Sequence, residues 1–488
     1  MTVCTTEQGA VRGSTAPDGV TSFLGVPYAA PPFGPRRFQA PSPPEPWPGV
    51  RDATSYGPTV PHAPYAPPFD TLIPEDDNPG EDCLNLNIWT PSPEPGAGLP
   101  VMVWLHGGAF TNGSGSASAY DGSTFARDGV VCVTLNYRLG ADGFLHLPGV
   151  PDNRGLLDQV AALRWIAANI SSFGGDPDQV TVFGESAGAM SIGALLSLNL
   201  APGLFHRAIL QSGACHHFLR PASASLITSH LAAKLGTDPT REAFAAVPLT
   251  ELIVAQAELR AEVAARPDPA LWGEAVLNMM PFEPVAETLP TPHGDVGLLI
   301  GTNREEYRLF LVPTDRLETV TEPHLDALTS AYGADPDQTL PVYRATRPNA
   351  SPGDLLAAVA TDWFYRIPAV RLAESVPGSH LYEFAWRSPQ FKESLGACHA
   401  LELPFVFDRL DDPSYAPLLG PRPPQPLADA MHTAWVAFAK TGAPGWPPYE
   451  PIGRTTMVFG SGEEPDSGPV GDPRGMERGV WEGLRRLR

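Results

Sequence analysis

The segment Val180-Thr181-Val182-Phe183-Gly184-Glu185-Ser186-Ala187-Gly188 constrains this chain more than any other. An apolar, β-branched run ends in Gly-x-Ser-x-Gly, and the helix-favouring stretch AMSIGALLSLN follows at once. Strand, tight turn and helix in that order make a nucleophile elbow, where a serine sits in a strained backbone conformation at a strand end. Positions two residues to either side must be small, because strand and helix close up there; Gly184 and Gly188 meet that demand. The bare pattern arises by chance about 0.2 times in a chain of this length at average glycine and serine usage, so its weight comes from the flanks. The competing reading is a structural turn with an idle serine.

The rest of the chain sets this elbow in a sheet covered by helices. Short apolar runs at 84–89, 101–105, 130–135, 180–183, 207–211, 297–300, 379–384 and 456–459 alternate with helical stretches. That alternation predicts an α/β fold with a large, mostly parallel, twisted central sheet. Between Gly155 and Phe173, Leu156, Val160, Leu163, Ala167 and Ile170 form one stripe at helical spacing, and Gly174-Gly175 stops the helix. Two stretches, about 219–280 and 313–378, read as helical insertions over one end of the sheet. The first 80 residues are proline-rich and irregular, yet they carry Phe23, Tyr28, Phe38 and Trp47 and are expected to dock as wrapping loops. Residues 1–488 are read as one domain.

Composition excludes several functions. With 43% hydrophobic residues the chain has ample apolar surface for a large core. The formal charge is −22, and the one basic block is Arg485, Arg486 and Arg488, so no nucleic-acid partner is expected. The five cysteines (Cys4, Cys83, Cys132, Cys215, Cys398) stand far apart and read as free thiols. The start of the chain has neither the basic nor the apolar part of a secretory signal, and no apolar run reaches about 18 residues. A cytoplasmic protein with no membrane partner is expected. No HExxH or ligand cluster is visible, so neither metal nor cofactor is expected. Oligomeric state is not readable.

A serine nucleophile needs amide donors for the oxyanion it creates. The run Val101–Leu105 ends in His106-Gly107-Gly108-Ala109-Phe110, a glycine turn in which Gly108 and Ala109 can offer amides, and Ala187 supplies a third from the elbow. A phosphate cradle is the rival, but the segment lacks the Lys-Ser/Thr of a P-loop. In folds with this elbow the acid and then the base follow the serine in the chain. Of 12 histidines, His399 fits best, after the 379–384 strand and its loop, with His324, His380 and His432 as alternatives. His216 and His217 read as pocket wall. The acid belongs at the end of the 297–300 strand, where spacing does not separate Glu305 from Glu306.

Several longer segments carry a resemblance: FLGVPYAAPPFGPRRF, EDCLNLNIW, HGGAF, NYRLGADGFL, NISSFGGDPDQVTVFGESAG, RAILQSGA, GACHALELPFVF and FAKTGAPGWPPY. Over nearly its full length the chain resembles the type-B carboxylesterase/lipase family of the α/β-hydrolase fold, in particular its bacterial para-nitrobenzyl-esterase-like members. The resemblance implies Ser186 as nucleophile, Glu306 as acid and His399 as base, with Gly108, Ala109 and Ala187 as oxyanion donors. One departure stands out: where the family has Asp-Glu-Gly around the acid, this chain has Glu305-Glu306-Tyr307. Relatives from oxidising compartments pair the cysteine of EDCL with one upstream, but only the distant Cys4 precedes Cys83, which is expected to be unpaired.

Glu185 beside the nucleophile and Glu402 past the base could favour a protonated imidazole during turnover, or form a buried pair with no kinetic role. Trp272, Met279, Met280, Phe282, Phe310 and Leu311 read as walls of an acyl or alcohol cleft, with ordinary core as the rival. The chemistry expected is ester hydrolysis through an acyl-enzyme, on a small-molecule ester. The alternatives are a lipase, an amidase or carbamate hydrolase on the same triad, or a non-catalytic binding member of the fold.

Overall fold

A computed structural model describes residues 1–73, 75–287, 295–462 and 466–484; the arginines at 485, 486 and 488 lie outside the described residues. The described strands are β1 (Thr2–Thr5), β2 (Ala10–Thr15), β3 (Thr21–Pro27), β4 (Val50–Asp52), β5 (Asn85–Thr90), β6 (Leu99–Leu105) and β7 (Val131–Leu135). They continue as β8 (Gly175–Glu185), β9 (Arg207–Gln211), β10 (Gly297–Asn303), β11 (His380–Phe384), β12 (Thr455–Ser461) and β13 (Asp466–Gly471). They join in one sheet in the order β1-β2-β3-β5-β7-β6-β8-β9-β10-β11-β12-β13, with β4 beside β2. From β7 to β12 neighbouring strands run parallel, and both ends of the sheet are antiparallel except for β4, which runs parallel to β2. This is the α/β-hydrolase fold.

Burial on both faces explains why the parallel strands read as unbroken apolar runs. Along β6, Val101, Val103 and Leu105 pack into one core cluster, while Met102 and Trp104 pack into the other on the opposite face. The helix Arg154–Asn169 buries Leu156, Val160 and Leu163 as its stripe predicts. It also buries Ile166 and leaves Ala167 exposed, because the buried arc is broader than the stripe and centred to one side of it. Gly174 ends the following turn in a left-handed conformation at φ 85°.

The first 80 residues require a correction. Phe23, Tyr28 and Phe38 are buried, and Trp47 Nε1 donates to the Ala10 carbonyl at 2.9 Å, so the segment does dock. It also contains β1 to β4, which were expected as loops. In β3 Gly25 breaks the apolar stretch Phe23–Val26, while β1, β2 and β4 are short and half-exposed at one end of the sheet and carry no apolar run. The antiparallel β13 is hidden from sequence for the same reason, since it is almost wholly exposed.

Both insertions are helical. The first holds Pro221–Leu235, Arg241–Ala246 and Leu249–Ala265; the second holds Glu322–Ala331, Pro336–Thr346, Pro352–Thr361 and Ile367–Ser375. Between the last two helices, Asp362–Arg366 forms a π-helical turn, a local widening of the helix common at functional sites.

Candidate active site

Parallel strands put their carboxyl ends on one edge of the sheet, and ligands bind in the crevice outside that edge. β6 ends at Leu105 and runs into the glycine turn, β8 ends at Glu185, and β10 ends at Asn303 ahead of the two glutamates. The loop after β11 brings His399 to the same edge. Ser186 follows β8 directly, at φ 52° and ψ −122°, a strained position for a residue with a side chain. The neighbouring strand β9 and the helix that follows hold it there: its amide donates to Gln211 O at 2.9 Å, and its carbonyl accepts from the Met190 amide at 2.8 Å. The demand for a small residue at 188 is strict, because a Cβ there would lie 1.9 Å from the Leu105 carbonyl.

A cleft of about 1180 Å³, counting its open mouth, is lined by Ser186, His399, Glu185, Gly108 and Ala109. His399 Nδ1 lies 2.7 Å from Glu306 Oε2, and its amide donates to the Glu306 carbonyl at 3.2 Å. Glu306 is fully buried, and its Oε1 accepts from the Asn303 amide at 2.7 Å. Glu305 faces outward instead, in an ion pair with Arg387. Ser186 and His399 share the cleft, but among the described contacts no hydrogen bond joins Ser186 Oγ to the ring; such bonds are often loose in an unliganded enzyme and tighten with substrate. His399 Nε2 instead lies 3.0 Å from Glu185 Oε1, close but misaligned for a hydrogen bond.

The oxyanion turn has unusual backbone geometry: Gly108, Ala109 and Phe110 all have positive φ, at 109°, 53° and 60°. Among the described residues the amides of Gly108, Ala109 and Ala187 have no acceptor. Gly108 and Ala109 form part of the cleft wall, whereas Ala187 is buried beside it at the N-terminal end of the helix Ala187–Ser197.

Three buried carboxylates crowd the imidazole. Burial pushes Glu185 up to about 8, with His399 pulling it down and the charges of Glu402 and Glu306 adding to the rise. Burial pushes Glu402 to about 7, aided by Glu306 and opposed by a hydrogen bond from Asn303. For His399, burial works against the charged ring, but attraction to Glu185 and the bond to Glu306 outweigh it and lift the ring to about 9. Several acids sharing one base favour a proton held within the cluster.

Sequence reasoning placed some walls wrongly. Met279, Met280 and Phe310 line the cleft. Trp272 does not: its ring lies 4.4 Å from that of His230 and its Nε1 donates to Arg266 O at 2.8 Å, so it is core. Phe282 and Leu311 are likewise buried away from the cleft, because hydrophobicity alone does not say which side of an insertion faces the sheet edge. His217 sits behind the wall, its ring 4.4 Å from that of Phe364. The alternative bases are engaged elsewhere: His324 accepts from the Thr321 amide in a helix cap, His380 lies between Phe438 and Trp446, and His432 Nδ1 contacts Val406 O at 2.8 Å.

Sequence reasoning also missed cleft residues. Phe364 and Tyr365 come from the π-helical turn, and the Tyr365 ring lies 4.9 Å from that of His399. Tyr65, Tyr120 and Arg260 line the cleft from three remote segments, with no local signal that could have found them. Tyr307, flagged as a departure beside the acid, is on the wall, its ring 5.3 Å from that of Phe310.

Comparison with known proteins agrees over the whole chain. The model of the carboxylesterase family matches residues 1–465. The chain is 38% identical to a para-nitrobenzyl esterase of Bacillus subtilis, covering 97% of each protein. It is 35% identical to a phenmedipham hydrolase of Pseudarthrobacter oxydans, covering 92% of this chain and 93% of that one. A crystal structure of a carboxylesterase from Geobacillus stearothermophilus superposes with a TM-score of 0.84 at 37% identity, covering 99% of this chain and 100% of that one.

Proposed function

We propose, on the premise that this chain belongs to the carboxylesterase family, that it cleaves esters through an acyl-enzyme formed on Ser186. It is a carboxylic ester hydrolase, and small-molecule esters are its substrates. Ser186 Oγ attacks the ester carbonyl while His399 Nε2 takes the hydroxyl proton. Glu306, on Nδ1, keeps the ring in the tautomer that leaves Nε2 basic, and stabilises the imidazolium once formed. The amides of Gly108, Ala109 and Ala187 hold the oxyanion; removing one such donor typically costs about 2.7–4 kcal/mol. His399 then gives its proton to the departing alcohol, and the acyl group stays on Ser186. Water attacks that acyl group, His399 again takes a proton, and the acid leaves as Ser186 recovers its hydroxyl.

The observation that carries this reading is the 2.7 Å contact from Glu306 to His399 Nδ1, on a ring that lines the same cleft as the strained Ser186. A fluorophosphonate probe followed by peptide mapping tests it. The label is expected on Ser186, and Ser186→Ala is expected to lower nitrophenyl-ester turnover by about 10⁴–10⁶-fold. Unchanged hydrolysis by that variant would remove the assignment.

All five cysteines are free thiols, which supports a working place in a reducing compartment, the cytoplasm. Among the described residues no helix is long and apolar enough to cross a membrane.

A further inference from the structure

Arg260 has no task in the chemistry above. It stands on the helix Leu249–Ala265 and lines the cleft that Ser186 and His399 line. Among the described cleft residues no other Lys or Arg is present. Its Nη1 donates to Thr111 Oγ1 at 2.9 Å and to Asn112 Oδ1 at 3.3 Å, both neutral acceptors. It forms no ion pair among the described residues. The carboxylate of Glu75 is one residue removed: it accepts from Asn112 Nδ2 at 3.0 Å and is already held by His62 at 2.7 Å.

A guanidinium has five N–H donors in a planar fork. With Nη1 engaged, Nε and Nη2 remain, and Arg260 keeps a partly exposed surface that forms part of the cleft wall. Burial works against its charge and lowers its pKa from the ordinary arginine value. A deeply set cation without a counter-ion is costly, and a ligand anion relieves that cost. Bracing is the simpler role: the Thr111 and Asn112 amides both donate to Gly108 O, at 3.0 and 2.9 Å, so Nη1 steadies the turn that carries the oxyanion amides. Bracing needs only that one nitrogen. It leaves the rest of the fork without a purpose.

We propose that Arg260 is a subsite for a carboxylate carried by the substrate, so that the favoured esters bear an anionic group on their acyl or alcohol portion, as in a monoester of a dicarboxylic acid. This rests on the ester-hydrolase reading and narrows its substrate class. The net charge of −22 does not oppose it at contact, because exposed charges are screened beyond about 8 Å at physiological ionic strength while the fork binds at hydrogen-bond distance.

Matched esters test the subsite on the full chain. One pair is 4-nitrophenyl monoglutarate and 4-nitrophenyl pentanoate; a second carries the carboxylate on the alcohol side, 3-acetoxybenzoate against 3-methylphenyl acetate. The wild type is expected to favour the anionic member of at least one pair by tenfold or more in kcat/KM, chiefly through KM. In Arg260→Gln that ratio is expected to collapse toward one, and in Arg260→Lys to be retained in part. A variant that changes both members of a pair by the same factor would make Arg260 a brace and overturn the subsite. Should Arg260→Gln fail to fold, the wild type decides alone: glutarate is expected to compete with the neutral ester, and 1,5-pentanediol is not. Cleavage of the neutral esters with no anionic preference overturns the subsite alone. Failure to cleave any of the four overturns the hydrolase reading with it.

Discussion

Glu305 and Glu306 are one position apart, and only their surroundings distinguish them. Glu306 is fully buried on His399 Nδ1, while Glu305 pairs outward with Arg387. Two identical letters at a strand end cannot say which turns inward, so the family resemblance alone had separated them. The burial that selects Glu306 also crowds Glu185 and Glu402 against the same imidazole, and this sets a sign for stability against pH. Glu402 titrates near 7 in the fold and Glu185 near 8, against roughly 4.3 in an open chain. A carboxyl with a raised folded pKa contributes stability that is fully present below its unfolded value and is lost as pH rises through the folded one. His399, raised to about 9, has the same sign: its contribution is present below about 6.5 and fades toward 9. Buried His106, lowered to about 4, acts with the opposite sign below 6.5, so the test is a comparison: in urea titrations the wild type is expected to lose more unfolding free energy between pH 5 and pH 7 than Glu402→Gln does. An equal slope in the variant would show that Glu402 ionises in the fold as it does in water.

At the scale of an element, the elbow was legible because its rules are local. Sterics between consecutive residues dictate that a strand turning at once into a helix needs Gly184 and Gly188 around Ser186, and those sterics are written in adjacent letters. The close approach that punishes any larger residue is tertiary, since the colliding atom belongs to β6. Gly188→Ala puts its methyl group 1.9 Å from Leu105 O, so strand and helix must separate. The substitution is expected to cost about 1–3 kcal/mol of stability, as overpacking does, and to lower kcat at least a hundredfold by moving Ser186. Urea titration and nitrophenyl-ester kinetics check the two effects; a variant with wild-type kcat would mean that the elbow tolerates a wider gap. The helical insertions were legible as helices but not in their facing. Trp272 and Phe282 turned out to be core, whereas Arg260, Phe364 and Tyr365 reached the cleft. Periodicity marks an apolar side without naming what covers it.

For the molecule as a whole, the sheet runs without interruption from β1 near residue 2 to β13, which ends at residue 471, and its two faces are covered by two large core clusters. Strands from the two halves of the chain join at the β9–β10 pair into one continuous hydrogen-bonded sheet, so unfolding is expected to be one cooperative transition. Calorimetry checks it: two resolved transitions would mean that residues 1–488 divide into units. The amino-acid order by itself determined the layer architecture, the serine elbow, the glycine turn and the helical character of the insertions, because each depends on neighbours within about a dozen residues. Tertiary structure decided what no local rule in the sequence does: which of Glu305 and Glu306 turns inward to His399, that Glu185 stands 3.0 Å from Nε2, and that Arg260 lines the cleft. Those contacts join residues from remote segments, and burial, charge and distance exist only once the sheet has brought the segments together.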